Sequence, residues 1–153
     1  AVMRYGKWGY ANQNVKLKIN YQYEYASDFE FGLAKVKSKG KYGLINPDGK
    51  FVIPAEYDNL SNFQFNWMLA EKGGKFGLIT RNNELVFAPK YEKIESLGDN
   101  IIRVYANEHI SYYNVEKETF VYVESGFTTE VEVEEDKQEE ENNEPKEVAK
   151  PRY

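Results

Sequence analysis

Side chains with the chemistry of a catalytic site are scarce in this chain. It has a single histidine, His109, and no cysteine, which excludes disulfides, thiolate metal sites and a cysteine nucleophile. No serine lies in a nucleophile motif, so an incidental surface histidine is favoured over a catalytic base. The sequence also lacks a Walker motif, a dinucleotide-binding glycine pattern and His/Cys metal-ligand spacing. We therefore expect a protein that is not an enzyme and that uses no cofactor or metal.

Carboxylates recur at corresponding positions of the chain, at Glu24, Asp58 and Glu92. A glycosidase pair would need two carboxyl groups in unlike environments that face one cleft. Similar carboxylates repeated along a chain instead favour hydrogen bonds to the backbone N–H groups of a local turn. These three residues are therefore predicted to be structural.

One stretch is a candidate for binding a partner. The segment "FQFNWML" is unusually rich in large apolar side chains, and the candidate patch consists of Phe63, Phe65, Trp67 and Met68. Strand alternation would put Phe63, Phe65 and Trp67 on one face, with Met68 on the other. Two interpretations stay open: Trp67 fills a gap in the core, or the rings form a partly exposed patch that anchors a partner.

These residues stand in a chain that repeats itself at a fixed period. The stretch "GKYGLINPDGKFVIPAEYD" from Gly40 has counterparts that begin at Gly6 and at Gly74, and we call this constant spacing the repeat period. Three sets of residues share the spacing and are predicted to be structural: Trp8, Tyr42 and Phe76; Gly9, Gly43 and Gly77; and Tyr23, Tyr57 and Tyr91. A fourth, degenerate copy begins near Glu108, with Ile110 and Ser111 at the aromatic and glycine positions.

Each repeat has the pattern of strands and turns. Residues 33–38 alternate, "NPDGK" is a turn signal and Pro54 is expected to stop a strand. The sequence predicts strands near 33–38, 41–46 and 50–54, with counterparts one repeat period away on each side. We expect an all-β fold of tandem three-stranded antiparallel meanders joined by loops. Because one small sheet cannot bury its apolar face alone, the meanders should stack as an open, solenoid-like array, with a partial β-propeller as the alternative.

The glycines inside predicted strands need an explanation, because glycine weakens a strand and marks a bulge or a close approach. We expect an aromatic ring from a neighbouring strand or repeat to lie over the bare backbone. The aromatic residues that precede the glycines, Trp8, Tyr42 and Phe76, are expected to be mostly buried against a neighbouring unit.

These motifs resemble the WG-repeat family, which is named for its Trp-Gly dipeptide. The dipeptide stands at Trp8-Gly9, and "VIPAEYD" (52–58) and "DFEFGLAKV" (28–36) match the other parts of the family pattern. The resemblance covers about residues 1–122; it departs at Asn66-Trp67-Met68, which align with Gly32-Leu33-Ala34, and the fourth copy has lost both Trp and Gly. It implies a tandem β-repeat fold, typical of bacterial proteins, and assigns no catalytic residues.

The repeat period divides the chain into a predicted series of units. Residues 1–5 would end a preceding repeat, residues 6–39, 40–73 and 74–107 would form three repeats, and 108–127 a degenerate terminal one. Because "AVMRYGKWG" aligns with a strand and its following turn, we expect the parent protein to continue N-terminally or another chain to cover this end.

Acidic residues are concentrated in the last segment. Residues 1–129 carry 15 acidic and 16 basic side chains, whereas residues 130–153 carry 10 acidic and 4 basic ones. Residues 128–153 are predicted to be a flexible tail that keeps the protein soluble; the alternative is that the tail binds calcium or a basic partner.

The remainder of the chain is nearly neutral and lacks the clustered Lys and Arg that bind phosphate backbones. No apolar run in the sequence is long enough to span a membrane.

Two functions are compatible with these features. The first is a non-enzymatic scaffold that binds another protein, or further repeats of the same protein at the N-terminal end, as part of a larger bacterial protein or complex. The alternative is a carbohydrate or cell-wall binding module whose repeated rings stack on sugars. Exposed rings that recur with the repeat period would favour sugars, and burial of those rings would favour protein. Nucleic acid is not expected as a partner.

Overall fold

The computed structural model describes residues 1–127, which form antiparallel sheets in chain order without closing into a barrel. The first sheet contains β1 (Val2–Arg4), β2 (Lys7–Ala11) and β3 (Leu17–Tyr23). The second contains β4 (Tyr25–Ala26), β5 (Ala34–Ser38), β6 (Lys41–Ile45) and β7 (Phe51–Tyr57). The third contains β8 (Asn59–Asn62), β9 (Trp67–Lys72), β10 (Lys75–Thr80) and β11 (Leu85–Tyr91). The fourth contains β12 (Lys93–Gly98), β13 (Ile101–Ala106), β14 (His109–Asn114) and β15 (Thr119–Val123). The prediction of an all-β chain of tandem antiparallel meanders is confirmed, whereas the predicted acidic tail lies outside the described residues.

The complete meanders have four strands and not three. The segment expected to be a connecting loop contributes a short strand, such as β8, to the next sheet. Pro54 does not end its strand either, because β7 continues to Tyr57. The sheet order β4-β5-β6-β7 makes β7 an edge strand, so the missing N–H of Pro54 removes no ladder hydrogen bond on the outer side.

The sheets are offset from the sequence units. In the second sheet, β4 and β5 come from residues 6–39, whereas β6 and β7 come from residues 40–73. The same division recurs one repeat period later in the third sheet. Each complete sheet therefore joins two consecutive copies of the sequence motif.

Apolar side chains are buried between successive sheets. The core between the first and second sheets contains Tyr10, Ile19, Tyr23, Ala26, Ala34, Val36 and Ile45. The next contains Leu44, Ile53, Tyr57, Leu60, Met68, Ala70 and Ile79, and the last contains Leu78, Phe87, Tyr91, Ile94, Ile102, Val104, Ala106 and Phe127. Since neighbouring residues of a strand point to opposite faces, Leu44 and Ile45 of β6 enter two different cores. A middle sheet is thus apolar on both faces.

The glycines of the repeat lie against backbone and not under an aromatic ring, so that expectation is wrong. Tyr42 pairs with Tyr57, and Leu44 pairs with Ile53. From Tyr42 to Leu44 β6 advances by two residues, whereas β7 advances by four from Ile53 to Tyr57, so the extra residues of β7 form a bulge opposite Gly43. A Cβ atom built on Gly43 would lie 2.5 Å from the carbonyl oxygen of Ile53. Gly9 and Gly77 meet the backbone of their own neighbouring strand in the same way, at 2.5 and 2.4 Å. Glycine is required here because the bulged strand folds over it.

The fourth sheet shows what happens when this bulge is missing. Ser111 occupies the glycine position of the repeat and pairs directly with Val123, so there is room for its side chain. The side chain is fully buried, and its Oγ has no hydrogen-bond partner. A serine at this position therefore fits the fold but leaves a buried hydroxyl unsatisfied.

The aromatic positions of the repeat divide into two classes. Trp8, Tyr42 and Phe76 are partly buried and pack, as expected, against the core that their own sheet shares with the next one. Each of them pairs across the sheet with a tyrosine of the following strand. Those tyrosines, Tyr23, Tyr57 and Tyr91, are only 3%, 4% and 5% exposed. Burial raises the pKa values of Tyr23 and Tyr57. The tyrosine is the more deeply buried of the two paired rings in each unit.

The repeated carboxylates hold hairpin turns, as predicted. Oxygens of Glu24, Asp58 and Glu92 accept hydrogen bonds from the backbone N–H groups of Gly40, Gly73 and Asn107, at 3.1, 2.8 and 3.0 Å. These donors belong to two-residue turns in which both residues have positive φ, as in type I′ hairpins. Asp58 also pairs with Lys41, and the hydrogen bonds from Lys41 and from the Gly73 N–H lower the pKa of its carboxyl.

A second family of turns has one strained member. Asn12 and Asn46 each accept two backbone hydrogen bonds through Oδ1 and close a five-residue hairpin loop. The fourth loop residue has positive φ: it is Gly49 in one loop, with φ 78°, and Val15 in the other, with φ 61°. A β-branched residue is disfavoured in this region. The Val15 side chain is 83% exposed, so no packing offsets the strain.

The bulge predicts opposite effects of alanine at two equivalent positions. Gly43→Ala should lower the free energy of unfolding by about 3 kcal/mol, because its Cβ has no space against the β7 backbone. Ser111→Ala should raise it by about 1 kcal/mol by removing an unsatisfied hydroxyl. Urea unfolding followed by circular dichroism measures both changes, and equal effects at the two positions would contradict the bulge explanation.

The strained loop predicts a stabilising substitution. Val15→Gly should raise the free energy of unfolding by about 1 kcal/mol, since glycine adopts positive φ without a steric penalty. Val123→Gly is the matched control, because Val123 is also exposed but lies in β15, where glycine should be destabilising. Thermal unfolding of both variants gives the comparison; a loss of stability in Val15→Gly would show that its φ causes no strain.

Candidate binding cleft

A cleft of about 410 Å³ opens between the second and third sheets. The aromatic cleft, as we call it, is lined by Phe31, Val52, Phe65, Trp67, Thr80 and Arg81. Its walls combine the turns of Phe31 and Phe65 with the ends of the adjoining strands. Since successive sheets are fixed by a shared core, the distance between these walls is fixed as well.

Phe31 forms one side of the cleft at the tip of a tight turn. Glu30 and Leu33 exchange two backbone hydrogen bonds of 2.8 and 3.0 Å around Phe31 and Gly32. Both turn residues have positive φ, 51° and 78°. The ring is 87% exposed. An exposed phenylalanine at positive φ contributes little to the stability of the folded chain.

Phe65 occupies the corresponding turn one repeat period later and forms the opposite side. The segment Gln64–Asn66 is a short 3₁₀ turn with Phe65 at φ 62°, so the predicted strand alternation through Phe63, Phe65 and Trp67 does not occur. The three rings are half-buried, and those of Phe65 and Trp67 lie 5.5 Å apart. Met68 is only 3% exposed and belongs to the core between the second and third sheets. It therefore does not line the aromatic cleft with the three rings, and it reaches the surface only at the edge of the neighbouring depression.

Arg81 lies across the cleft floor. Its Nε and Nη2 donate hydrogen bonds of 2.8 Å each to the Oδ1 atoms of Asn66 and Asn62. Its Cζ is 5.7 Å from the centre of the Phe31 ring, a distance at which a cation and a ring attract. The guanidinium thus links the third sheet to the turn of the second sheet.

A second, more polar depression of about 610 Å³ adjoins the aromatic cleft and shares Leu33 and Arg81 with it. The polar depression, as we call it, is lined by Trp8, Tyr25, Asp28, Glu30, Lys35 and Asn62. The Lys35 Nζ donates a 3.0 Å hydrogen bond to the Leu60 carbonyl and lies near the rings of Tyr25 and Tyr42. Charges of both signs and exposed ring edges are therefore present next to the cleft.

Sequence reasoning missed Phe31 and Arg81. Phe31 could have been found, because the repeat period aligns it with Phe65, which was already a candidate. Arg81 gives no such signal, since the residues one period before and after it are Pro47 and Val115. Its role depends on two asparagines that only the folded third sheet places beside it.

The lone histidine has a structural position. The Nδ1 of His109 lies 3.5 Å from a carboxylate oxygen of Glu124, and its ring covers Gly126. The adjacent Phe127 stacks on Tyr91 at 6.1 Å between ring centres. Within residues 1–127, no group of three or more acidic, histidine or cysteine side chains is arranged to hold a metal, and no helix is long and apolar enough to cross a membrane.

The outer face of the fourth sheet carries an ion network around Glu95. One carboxylate oxygen accepts hydrogen bonds from Nη2 of Arg103 at 2.7 Å and from the hydroxyl of Tyr105 at 3.0 Å. Lys93 pairs with the other oxygen. The hydrogen bonds from Lys93, Arg103 and Tyr105 lower the pKa of Glu95 to about 2. The network is thus charged across the whole physiological range.

This network predicts the pH at which the Glu95 carboxyl titrates. Because the pKa of Glu95 is lower in the folded chain than in the unfolded one, its contribution to stability is complete above the usual carboxyl pKa and is lost as the pH falls toward 2. Carbon NMR of the side-chain carboxyl should give a midpoint near 2, which Arg103→Met should raise. Lys41→Met, which removes the partner of Asp58, should leave the Glu95 midpoint unchanged. An ordinary glutamate midpoint in the unmodified chain would rule out the network.

Comparison with known proteins supports the repeat pattern. Three consecutive segments, residues 8–42, 42–76 and 76–108, each match the family described as WG containing repeat. No curated protein sequence matches the chain. The matched segments run from β2 to the turn that precedes β14 and include the turns of Phe31 and Phe65. The sheets, the glycine-backed bulges and the three matches together show that the chain belongs to the WG-repeat family.

Proposed function

We propose that this chain is a non-enzymatic protein-interaction module whose aromatic cleft binds a segment of a partner protein. The observation that carries the proposal is Phe31, a large ring held almost fully in solvent by a strained turn. Such a residue adds nothing to the core, so binding is the function that its position favours. Rings and arginine are also the side chains that most often anchor protein interfaces.

The geometry of the cleft supports binding of an extended segment. Phe31 stands on one wall, and Phe65 and Trp67 form a ring pair on the other. Both walls are tight turns on sheets that share a core, so little conformational entropy is lost when a partner binds. A rigid groove with apolar walls and a polar floor suits a peptide that places side chains on both sides of its backbone.

Carbohydrate binding is the second candidate. The polar depression favours it, because the rings of Trp8 and Tyr25 lie near carboxylates and the amide of Asn62. The repeated tyrosines argue against it, since Tyr23, Tyr57 and Tyr91 are buried and present no ladder of ring faces. Protein binding is therefore the better supported of the two.

The proposal predicts the loss of binding on removal of one exposed ring. Phe31→Ala should abolish capture of a partner protein from a proteome while leaving the melting temperature unchanged, because the side chain is 87% exposed. Tyr5→Ala is the matched control: Tyr5 is 89% exposed and also has positive φ in a two-residue turn, but it lies outside the cleft. It should bind as the unmodified chain does.

Quantitative mass spectrometry of the captured proteins, together with a glycan array, separates the two candidates. Proteins retained by the unmodified chain and by Tyr5→Ala, but lost with Phe31→Ala, would support protein binding. Glycan binding that survives in Phe31→Ala and disappears with Trp8→Ala would contradict it and favour the polar depression as a sugar site.

A further inference from the structure

The guanidinium of Arg81 has an unusual set of partners. Its Nε and Nη2 bond to the amide oxygens of Asn66 and Asn62, which are neutral. Arg103 uses the same two nitrogens to bind the carboxylate of Glu95. Among the described residues, no carboxylate forms an ion pair with Arg81. Its positive charge is therefore held in place without a direct ion pair.

The two amides leave one edge of this guanidinium open. Arginine has five N–H groups, and the pair on the Nε and Nη2 side is occupied by the asparagines. The other edge, formed by Nη1 and the second N–H of Nη2, makes no hydrogen bond in the described part of the chain. Two parallel N–H groups on such an edge match the two oxygens of a carboxylate.

The surroundings decide which anion suits this edge. Among the described residues that line the aromatic cleft, Arg81 is the only charged one. One positive charge balances a carboxylate, whereas a phosphate group carries nearly two negative charges and is usually bound by clustered cations. The Phe31 ring lies beside the guanidinium and the Trp67 ring lines the same cleft, so an apolar group next to the carboxylate would be buried at the same time.

We propose that the aromatic cleft recognises a peptide segment in which an aspartate or glutamate adjoins a large apolar residue. The carboxylate binds the open edge of Arg81, and the apolar side chain packs between Phe31 and the Phe65–Trp67 ring pair. The inference rests on the proposed function and adds the chemistry of the partner to it. The asparagines and the Phe31 ring pre-orient the guanidinium, so little side-chain entropy is lost when it binds.

Two sets of blocked hexapeptides test this recognition. One set has a central glutamate between randomised apolar residues, and the matched set has glutamine in its place. The chain has two tryptophans, so a Trp8→Phe background leaves Trp67 as the only indole to report on the cleft. Trp67 fluorescence and the anisotropy of labelled peptides then measure affinity. The glutamate set should bind about tenfold more tightly or better, as expected for a charged hydrogen-bonded pair.

Substitutions of Arg81 should remove this preference. Arg81→Gln should bind both sets equally weakly, and Arg81→Lys should keep part of the preference because it retains the charge but not the paired N–H groups. Lys72→Gln is the matched control, since Lys72 is an exposed cation of the same sheet that lies over Tyr57 instead. It should preserve the preference. Thermal unfolding of each variant checks that the cleft is folded. If Arg81→Gln is unstable, the partial loss of the glutamate preference in Arg81→Lys provides the test instead.

The possible outcomes separate this inference from the proposed function. Equal binding of both sets, unaffected by Arg81→Gln, would overturn carboxylate recognition and leave peptide binding in the cleft intact. Tighter binding of phosphoserine peptides than of glutamate peptides would also overturn it. If neither set perturbs Trp67 while a glycan does, the proposed function fails, and this inference fails with it.

Discussion

Burial of apolar surface between consecutive sheets is the interaction on which the rest of the molecule depends. A middle sheet such as β4-β5-β6-β7 places Val36 in one core and Leu44 in the next. Such a sheet exposes apolar surface on both sides when alone, and only its two neighbours can cover it. Stability in this architecture is therefore set by interfaces between nearest neighbours rather than by a single central core. A defect in one interface weakens the sheets on both sides of it.

The same constraint creates the binding site. Phe31 belongs to the second sheet, and Phe65, Trp67 and Arg81 belong to the third. No single unit contains the aromatic cleft, which exists only because Leu44 and Met68 join the two sheets beneath it. The fourth sheet has Asp99 and Asn100 at the equivalent turn, so different side chains can occupy this turn without a change in the surrounding strands. Function in such an array can be confined to one pair of neighbours while the framework stays constant.

Features that depend on local turn chemistry or on the repeat period could be predicted from the sequence. Features that depend on contacts between distant residues could not. The strand positions, the hairpin turns and the carboxylates that hold them were predictable, because turn chemistry and the repeat period are visible along the chain. The role of Gly43 was not, because the bulge above it depends on how β7 pairs with β6. Met68 was misjudged because the strand face opposite Trp67 turns toward the core between the second and third sheets, which the local sequence does not show. The surroundings of Arg81 involve residues 15 and 19 positions away, which no local pattern relates to it.

The offset between the sheets and the sequence units has a consequence for the gene. Each complete sheet takes its first two strands from one copy of the sequence motif and its last two strands from the next copy. Equivalent positions are nevertheless always separated by the same repeat period. Unequal recombination between any two such positions deletes or duplicates a whole number of periods, wherever the crossover falls. The hybrid sheet at the junction keeps its glycine, its bulge and its turn carboxylate in register. Copy number can therefore change without the crossover having to respect a domain boundary, and a cleft made by one pair of sheets can be gained or lost in a single genetic step.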